Sequence, residues 1–325
     1  MSEKIESAHA HRKNEHISLA LQQWKSGDLG NALQDLELVR PLIPSSSVSE
    51  VDTSVDIFNY HFAWPFYIEA MTGGSQLSSK INQDLSEIAK KYDLAMAVGS
   101  QSIALKEKDS IESFTVVRKN NPNGFLFSNI GIGHSGKEAQ AAVDMIEANA
   151  LEVHINAAQE IAAPDGDRDF NSWLESLQDI IETVNVPVVV KEVGFGMDLE
   201  SIQEIAKLNP AAINVSGNNG TDFGKIEEDR NHDIDFWLDD ILSNKKIGIS
   251  TLESLNNAAE ANLEIPYIAN GGISNPMDVF KSQMLGASLI GVAGYFLWQY
   301  NQRQLEQTIE RWQKQLPMLY ALYNY

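Results

Sequence analysis

Residues 150–170 read ALEVHINAAQEIAAPDGDRDF. The run opens on a strand-like stretch, Ala150-Leu151-Glu152-Val153, and then presents His154, Asn156, Gln159 and Glu160 within seven positions. Polar groups packed this densely just past a buried strand are costly to desolvate unless a ligand or metal satisfies them. Glu160 is a hard oxygen donor suited to Mg²⁺. Asn156 and Gln159 both donate and accept hydrogen bonds without carrying charge. The cluster points to a site that handles a metal-bound anion beside an apolar group.

Working outward, short apolar runs recur at 66–70, 94–98, 125–129, 151–156, 186–191, 211–215, 266–270 and 288–292. Each is about five residues long and mostly apolar on both faces, as expected of buried parallel strands. Segments with helical period lie between most of them, at 79–92, 137–148, 170–183, 201–208 and 277–285. Asp198 and Ser274 or Asn275 stand where helix N-caps are expected. Eight strand–helix units in 325 residues predict a (β/α)₈ TIM barrel over residues 61–325. Residues 1–60 are read as an N-terminal extension, with a helix around 14–24. The piece 217–262, which carries KIEEDRNHDIDFWLDD, is an enlarged loop, read either as a mobile lid on the catalytic face or as a solvated insertion.

Composition narrows the chemistry. With 43% hydrophobic and 21% charged residues the chain is globular. Its net charge of −21 argues against nucleic acid or an anionic membrane as partner. An anionic substrate must then be drawn in by local cations or a metal. No cysteine is present, which removes disulfides, thiolate metal sites and cysteine nucleophiles. The polar N-terminus and the lack of a long apolar run predict a cytoplasmic enzyme.

In such barrels the chemistry sits at the C-terminal ends of the strands. Those ends read Ala70-Met71-Thr72-Gly73-Gly74, Gly99-Ser100-Gln101, Ser128-Asn129-Ile130-Gly131, the His154–Glu160 cluster, Lys191-Glu192-Val193-Gly194, Ser216-Gly217 with Gly220-Thr221, Asn270-Gly271-Gly272, and Ala293-Gly294. Glycines at strands seven and eight allow backbone N–H groups to approach a phosphate, and a following helix N-terminus adds positive potential. Thr72, Ser100, Asn129 and Ser216 offer neutral hydrogen bonds to a planar heterocycle, and Lys191 adds a fixed charge. Taken singly, each is more simply a turn, a cap or a surface group. Their joint placement suits flavin mononucleotide. Arg12 and Lys13, beside His11, Asn14 and His16, form a basic cluster in an acidic chain. It is read either as a grip on a diphosphate or as a solvated helix N-terminus.

The chain resembles the FMN-dependent type 2 isopentenyl-diphosphate isomerases. The resemblance rests on RKNEHI, AMTGGS, VGSQ, NPNGFLFSNIG, HINAAQEIAAPDGDRDF, VVVKEVGFG, VSGNNGTDF, ANGGI and GVAGYFL, in this order from Arg12 to Leu297. It implies interconversion of isopentenyl and dimethylallyl diphosphate with reduced FMN, Mg²⁺ and NADPH or NADH. By the same resemblance Arg12, Lys13, His154 and Asn156 bind the substrate diphosphate. Gln159 acts at the alkene end and Glu160 holds Mg²⁺. FMN is held by Ala70, Met71, Thr72, Ser100, Asn129, Lys191, Ser216, Thr221, Gly271, Gly272, Ala293 and Gly294. A homo-oligomer, tetramer or octamer, is also implied.

The chain departs from the family pattern at Asn219, where a glycine is usual, and at Ser102, where many members carry arginine. Its C-terminal tail reads as shortened. The rival within the same fold is an FMN oxidoreductase of the 2-hydroxy-acid oxidase type. That chemistry needs a histidine base and an arginine near strands six and seven, where this chain has Ser216 and Asn270. A rival of another class is a catalytically silent flavin-binding or regulatory protein, against which the Gln159-Glu160 pair argues.

Overall fold

The computed structural model describes residues 8–27, 29–163, 166–230 and 244–325. A hairpin, β1 (Val55–Ile57) with β2 (Tyr60–Phe62), precedes the eight strands of the barrel. These are β3 (Phe66–Ile68), β4 (Met96–Ala97), β5 (Leu126–Gly131), β6 (Ala150–Ile155), β7 (Val188–Glu192), β8 (Ala212–Asn214), β9 (Tyr267–Ala269) and β10 (Leu289–Val292). They pair in parallel, in chain order, and β10 closes the ring against β3. All eight expected strands are present. Strand ends differ from the apolar runs by at most two residues. The strand predicted to reach Asn156 stops at Ile155, because Asn156 caps the helix Ala157–Ala162 by accepting the Gln159 N–H at 2.9 Å.

The helices begin where local chemistry starts them. Ser75 and Ser135 form capping boxes with Ser78 and Glu138. Asp198 caps Leu199–Ala206, and Asn275 caps Pro276–Met284 with proline at its first position. Both faces of the barrel wall are buried, so the lower halves of the strands are apolar on both sides. Outside the wall Ile68, Met96, Leu151, Val190 and Ile290 pack against the helices. Inside, near the N-terminal end, Tyr67, Ala97, Phe127, Val189, Ile268 and Leu289 fill the bore, and Ile57 and Phe62 of the hairpin close it from below.

Side chains two positions further along each strand point the same way. The layer above the apolar plug is therefore Glu69, Asn129, Glu152, Lys191, Asn214 and Asn270, all buried and all polar. Above that layer the barrel opens. The helix Ala8–Ser26 extends the predicted 14–24 helix and packs on Phe223–Arg230 and Gly294–Asn301 at the C-terminal end of the strands. Phe223–Arg230 belongs to the enlarged 217–262 segment, which thus covers the catalytic face; residues 231–243 lie outside the described residues. No helix among the described residues is long and apolar enough to cross a membrane.

Candidate active site

A cavity of about 400 Å³ opens at the C-terminal ends of the strands. Its size lies within the range of small-molecule sites. Lys191 forms the floor. Ala70, Met71, Thr72, Ser100, Asn129, Thr221 and Gly294 form the wall, and Arg12, Lys13, His154, Gln159 and Glu160 the upper rim. Thirteen of the eighteen expected site residues thus meet in one space, although Arg12 and Gly294 stand at opposite ends of the chain.

The other five stand behind the wall. Asn156 is spent on structure: besides its cap, its Nδ2 donates to the Val193 carbonyl at 2.6 Å. Ser216 Oγ accepts the Gly194 N–H at 3.0 Å. Gly271 and Gly272 have φ of +91° and +78°, and a Cβ on Gly271 would stand 2.7 Å from the Gly217 carbonyl oxygen. Glycine is required there because the loops after β8 and β9 cross. Ala293 is the residue that starts the helix Gly294–Asn301.

The floor is a closed hydrogen-bond network. Lys191 Nζ donates to Glu69 Oε1 at 2.6 Å and to Glu152 Oε2 at 3.2 Å. Tyr67 OH lies 2.6 Å from Glu69 Oε2 and 3.1 Å from Glu152 Oε1. Asn129 Nδ2 donates to Glu152 Oε2 at 2.9 Å, and Asn214 Nδ2 to Glu69 Oε2 at 3.0 Å. Burial and the Glu69 charge push the Glu152 carboxyl up to about 8. Burial alone would also raise Glu69, but the Lys191 charge together with hydrogen bonds from Glu152, Lys191 and Tyr67 holds it below the ordinary range.

His154 Nδ1 lies 2.9 Å from Asn129 Oδ1. Because the Asn129 amide nitrogen faces Glu152, its oxygen is the acceptor and Nδ1 carries the proton. Burial, with Lys13 and Lys191 nearby, lowers His154 to about 3, so the ring is neutral. Lys13 is lowered to about 8 by burial and by Arg12.

The rim is tied together by Glu227, a residue that motif reading alone did not single out. Its Oε1 takes Arg12 Nη2 at 3.1 Å and His16 Nε2 at 2.9 Å, and Gln159 Nε2 lies 3.4 Å away. Burial would raise this carboxyl, but His16, Arg12 and Arg230 hold it far below its usual range. The Arg168 guanidinium donates to the carbonyls of Glu160, Ala163 and Gly166. The Asp167 N–H donates to Glu160 Oε2 at 2.9 Å.

The residues fit the expected groups. Thr72 Oγ1 in the wall and Trp24 Nε1 above Gly294 are buried with no partner in the protein. A Cβ on Gly294 would meet Trp24 Nε1 at 2.1 Å and Thr221 Oγ1 at 3.1 Å. An indole N–H, a hydroxyl and a helix N-terminus therefore converge where a flavin phosphate is expected. Trp24 was not anticipated. For Mg²⁺ the described residues hold no cluster of three or more His, Asp or Glu side chains. Glu160 faces the cavity as a carboxylate, and Mg²⁺ commonly takes one or two carboxylates plus phosphate oxygens and water.

The family of FMN-dependent dehydrogenases matches residues 107–322. The isopentenyl-diphosphate delta-isomerase of Lactococcus lactis is 45% identical over 97% of this chain and 90% of its own length. Those of Limosilactobacillus reuteri and Listeria monocytogenes are 43% and 39% identical, over 98% and 96% of this chain and 91% and 87% of their own lengths. Among solved structures, a mandelate oxidase with an FMN adduct superposes with a TM-score of 0.65 at 17% identity, over 95% of this chain and 87% of its own. A flavocytochrome b2 mutant gives 0.66 at 17% identity, over 97% and 79%. The two structures establish the shared fold. The near-full-length relatives establish more: the chain belongs to the isopentenyl-diphosphate delta-isomerase family.

Proposed function

We propose that this chain interconverts isopentenyl and dimethylallyl diphosphate by an allylic proton shift. Reduced FMN lies in the barrel mouth, Mg²⁺ binds at Glu160, and NADPH or NADH supplies the electrons that reduce the flavin. The observation that carries the reading is the single cavity, which sets Lys191 and Thr72 below Arg12, Lys13, Gln159 and Glu160.

When bound, reduced FMN supplies an electron-rich ring for the cationic character that develops as the double bond moves. Ala70, Met71, Thr72, Ser100, Asn129 and Lys191 would hold that ring, with Lys191 supplying a positive charge. Gly294, with Thr221 and Trp24 beside it, would hold its phosphate, and Gly271, Gly272, Ala293 and Ser216 shape the loops behind that site. Arg12 and Lys13 would clamp the substrate diphosphate with His154 below, and Asn156 acts from behind the wall as the cap of the helix that carries Gln159 and Glu160. Binding energy at this non-reacting end orients the alkene at the other. Gln159 faces the alkene end, where its amide hydrogen-bonds a proton in transit without adding charge. Glu227 keeps Gln159 and Arg12 in register. Glu160 would hold Mg²⁺, which would supply positive charge to the diphosphate.

The N-terminal extension, residues 1–60, is thus part of the substrate site, because it carries Arg12 and Lys13. The chain assembles as a homo-oligomer. Supporting this, Val39, Leu42 and Ile43 are 96%, 85% and 82% exposed within one short stretch.

The test is turnover. Protein loaded with FMN and Mg²⁺ and reduced by NADPH without oxygen converts isopentenyl diphosphate to dimethylallyl diphosphate. Absence of conversion in a sample shown to bind FMN overturns the proposal. An oxidase reading predicts flavin bleaching by 2-hydroxy acids. The positions that reaction would use, Ser216 and Asn270, instead accept from Gly194 and donate to Asn214.

A further inference from the structure

The buried layer beneath Lys191 places two carboxylates around one ammonium, and the directions of its hydrogen bonds show where the protons are. Glu69 receives four donors: Lys191 Nζ and the Ala70 N–H on Oε1, and Tyr67 OH and Asn214 Nδ2 on Oε2. Every contact is 3.0 Å or shorter, the environment of a full carboxylate. Glu152 differs. Its Oε2 receives Asn129 and Lys191, while its Oε1 lies 3.1 Å from the Tyr67 hydroxyl oxygen, and its carboxyl is also within hydrogen-bonding reach of Glu69. Tyr67 has one hydroxyl proton, and the 2.6 Å contact to Glu69 takes it. A proton on Glu152 Oε1 lets it donate to the Tyr67 oxygen, and the neighbouring Glu69 carboxylate favours keeping that proton on Glu152. Oε2 is then the carbonyl oxygen of an acid and Oε1 its hydroxyl.

We propose that Glu69 and Glu152 are positioning residues that grip Lys191 from two sides and hold one proton between them. The layer beneath the flavin is then a neutral platform, Lys191⁺ with Glu69⁻ and protonated Glu152, which becomes anionic when that proton leaves. Two ionised carboxylates in this bore would leave one buried negative charge uncompensated, and burial opposes that. Above the platform sits the ring of a cofactor that gains negative character on reduction. A neutral layer with the ammonium held upright favours it, and an anionic layer repels it. This role rests on the FMN reading; the proton itself does not.

The groups facing Glu152 are Tyr67 from β3 and Glu69 just after it, Asn129 from β5 and Lys191 from β7. His154, on the same strand, bonds Asn129 and stays neutral. Two other buried groups titrate nearby. Lys13 loses its proton near pH 8 and Glu192 near pH 7, so the contrast between wild type and variant carries the assignment.

Infrared spectra of the flavin-free protein in D₂O, taken from pD 6 to 10, test the proton. Wild type shows a protonated-carboxyl C=O band that bleaches around pH 8 and is missing from Glu152→Gln, whose amide mimics the protonated acid. FMN affinity, followed by quenching of flavin fluorescence, tests the platform. At pH 7 Glu152→Gln binds FMN as tightly as wild type, and Glu69→Gln binds several-fold more weakly. Between pH 7 and 9 wild type loses several-fold more affinity than Glu152→Gln. If Glu152→Gln retains the band that bleaches near pH 8, or the two carboxamide variants bind FMN alike at every pH, the proposal is overturned. If the band behaves as stated and FMN binds at no pH, the platform role falls with the flavin reading, and the infrared arm identifies which part failed. Should Glu69→Gln not fold, Tyr67→Phe serves instead: it removes the acceptor of the Glu152 proton and moves the bleaching midpoint.

Discussion

Glu227 Oε1 lies 3.1 Å from Arg12 Nη2, a contact that spans 215 residues of sequence. It fastens the N-terminal helix to the catalytic face through a carboxylate with no exposed side chain. His16 and Arg230 share the same carboxylate. Glu227→Ala leaves three cationic or ring-nitrogen partners facing each other in a buried space. Removing one member of such a cluster costs about 3–5 kcal/mol. Denaturant titration at pH 7 should show a loss of that size, and turnover should fall because Gln159 and Arg12 lose their anchor. Because Glu227 is held below its ordinary 4.5, its contribution is complete above that value. It drains away as pH falls below about 4.5. A variant as stable as wild type at pH 7 would mean the helix is held by its apolar contacts alone.

Lys13 gives the binding step a pH limit. In the free protein burial and Arg12 lower it to about 8. Above that pH an increasing share of the protein meets an anionic diphosphate with a neutral amine, so kcat/KM should fall as pH rises through 8. Lys13→Arg keeps its charge at all working pH values and should remove this alkaline fall. Lys13→Ala should raise KM about 10- to 100-fold with a smaller change in kcat, as expected on losing a charge-assisted contact to a non-reacting group. A KM unchanged in Lys13→Ala would leave Lys13 as a solvated rim charge.

Glu160 is the cavity carboxylate expected to meet the metal, and the Asp167 N–H on its Oε2 fixes the side chain. Chelation of divalent ions should abolish turnover, and Mg²⁺ should restore it. Glu160→Gln keeps the hydrogen bond and loses the charge, so the Mg²⁺ concentration for half-maximal rate should rise at least 10-fold. Unchanged Mg²⁺ dependence would take Glu160 out of the metal site.

The strands were legible because parallel strands buried on both faces leave short apolar runs, and the eight runs fell where the eight strands stand. The rim was legible wherever a motif carried it, as with Arg12, Lys13, Gln159 and Glu160. Glu69 and Glu152 escape a reading of strand ends because each lies within an apolar run, 66–70 or 151–156. The signal was present all the same. A glutamate in FYIEA or ALEV is out of place in a buried strand unless something inside the barrel receives it, and counting two residues on from Tyr67, or two back from His154, puts each in the bore. Glu227 lies in the charged run KIEEDR and looks like one of several surface acids. Only the fold of the enlarged loop over the N-terminal helix separates it from Glu228 and Asp229. Asn156, Ser216 and the Gly271-Gly272 pair were recognised as special, but what they touch is backbone, and a one-dimensional reading does not distinguish a ligand contact from a loop crossing.

His154 should mark the acid side of the stability profile. Its folded value of about 3 lies below the ordinary 6.5, so below about pH 6.5 the unfolded chain takes up a proton that the folded one refuses. Stability contributed by the neutral ring is therefore lost as pH falls from 6.5. Glu152 and Glu192, raised to about 8 and 7, act in the opposite direction over part of this range. The difference between variant and wild type carries the result. His154→Gln, which can keep a bond to Asn129, should lose less stability than wild type between pH 6.5 and 4.5. Parallel profiles in thermal melts would show that His154 is protonated in the folded protein.

The last prediction concerns assembly. Leu42 and Ile43 are almost fully exposed, and the chain beside them is tied down, with the Ser45 N–H donating to Asn324 Oδ1 at 2.7 Å. Each such side chain gains about 1.5–3 kcal/mol when it is buried. An ordered segment that displays two of them side by side invites a symmetric contact with a second copy. Leu42→Ser with Ile43→Ser touches no residue of the catalytic cavity, so monomer stability and FMN binding should stay unchanged. Light scattering should show wild type as an oligomer and the double variant shifted to a smaller species. If both run with the same mass, another surface makes the contact.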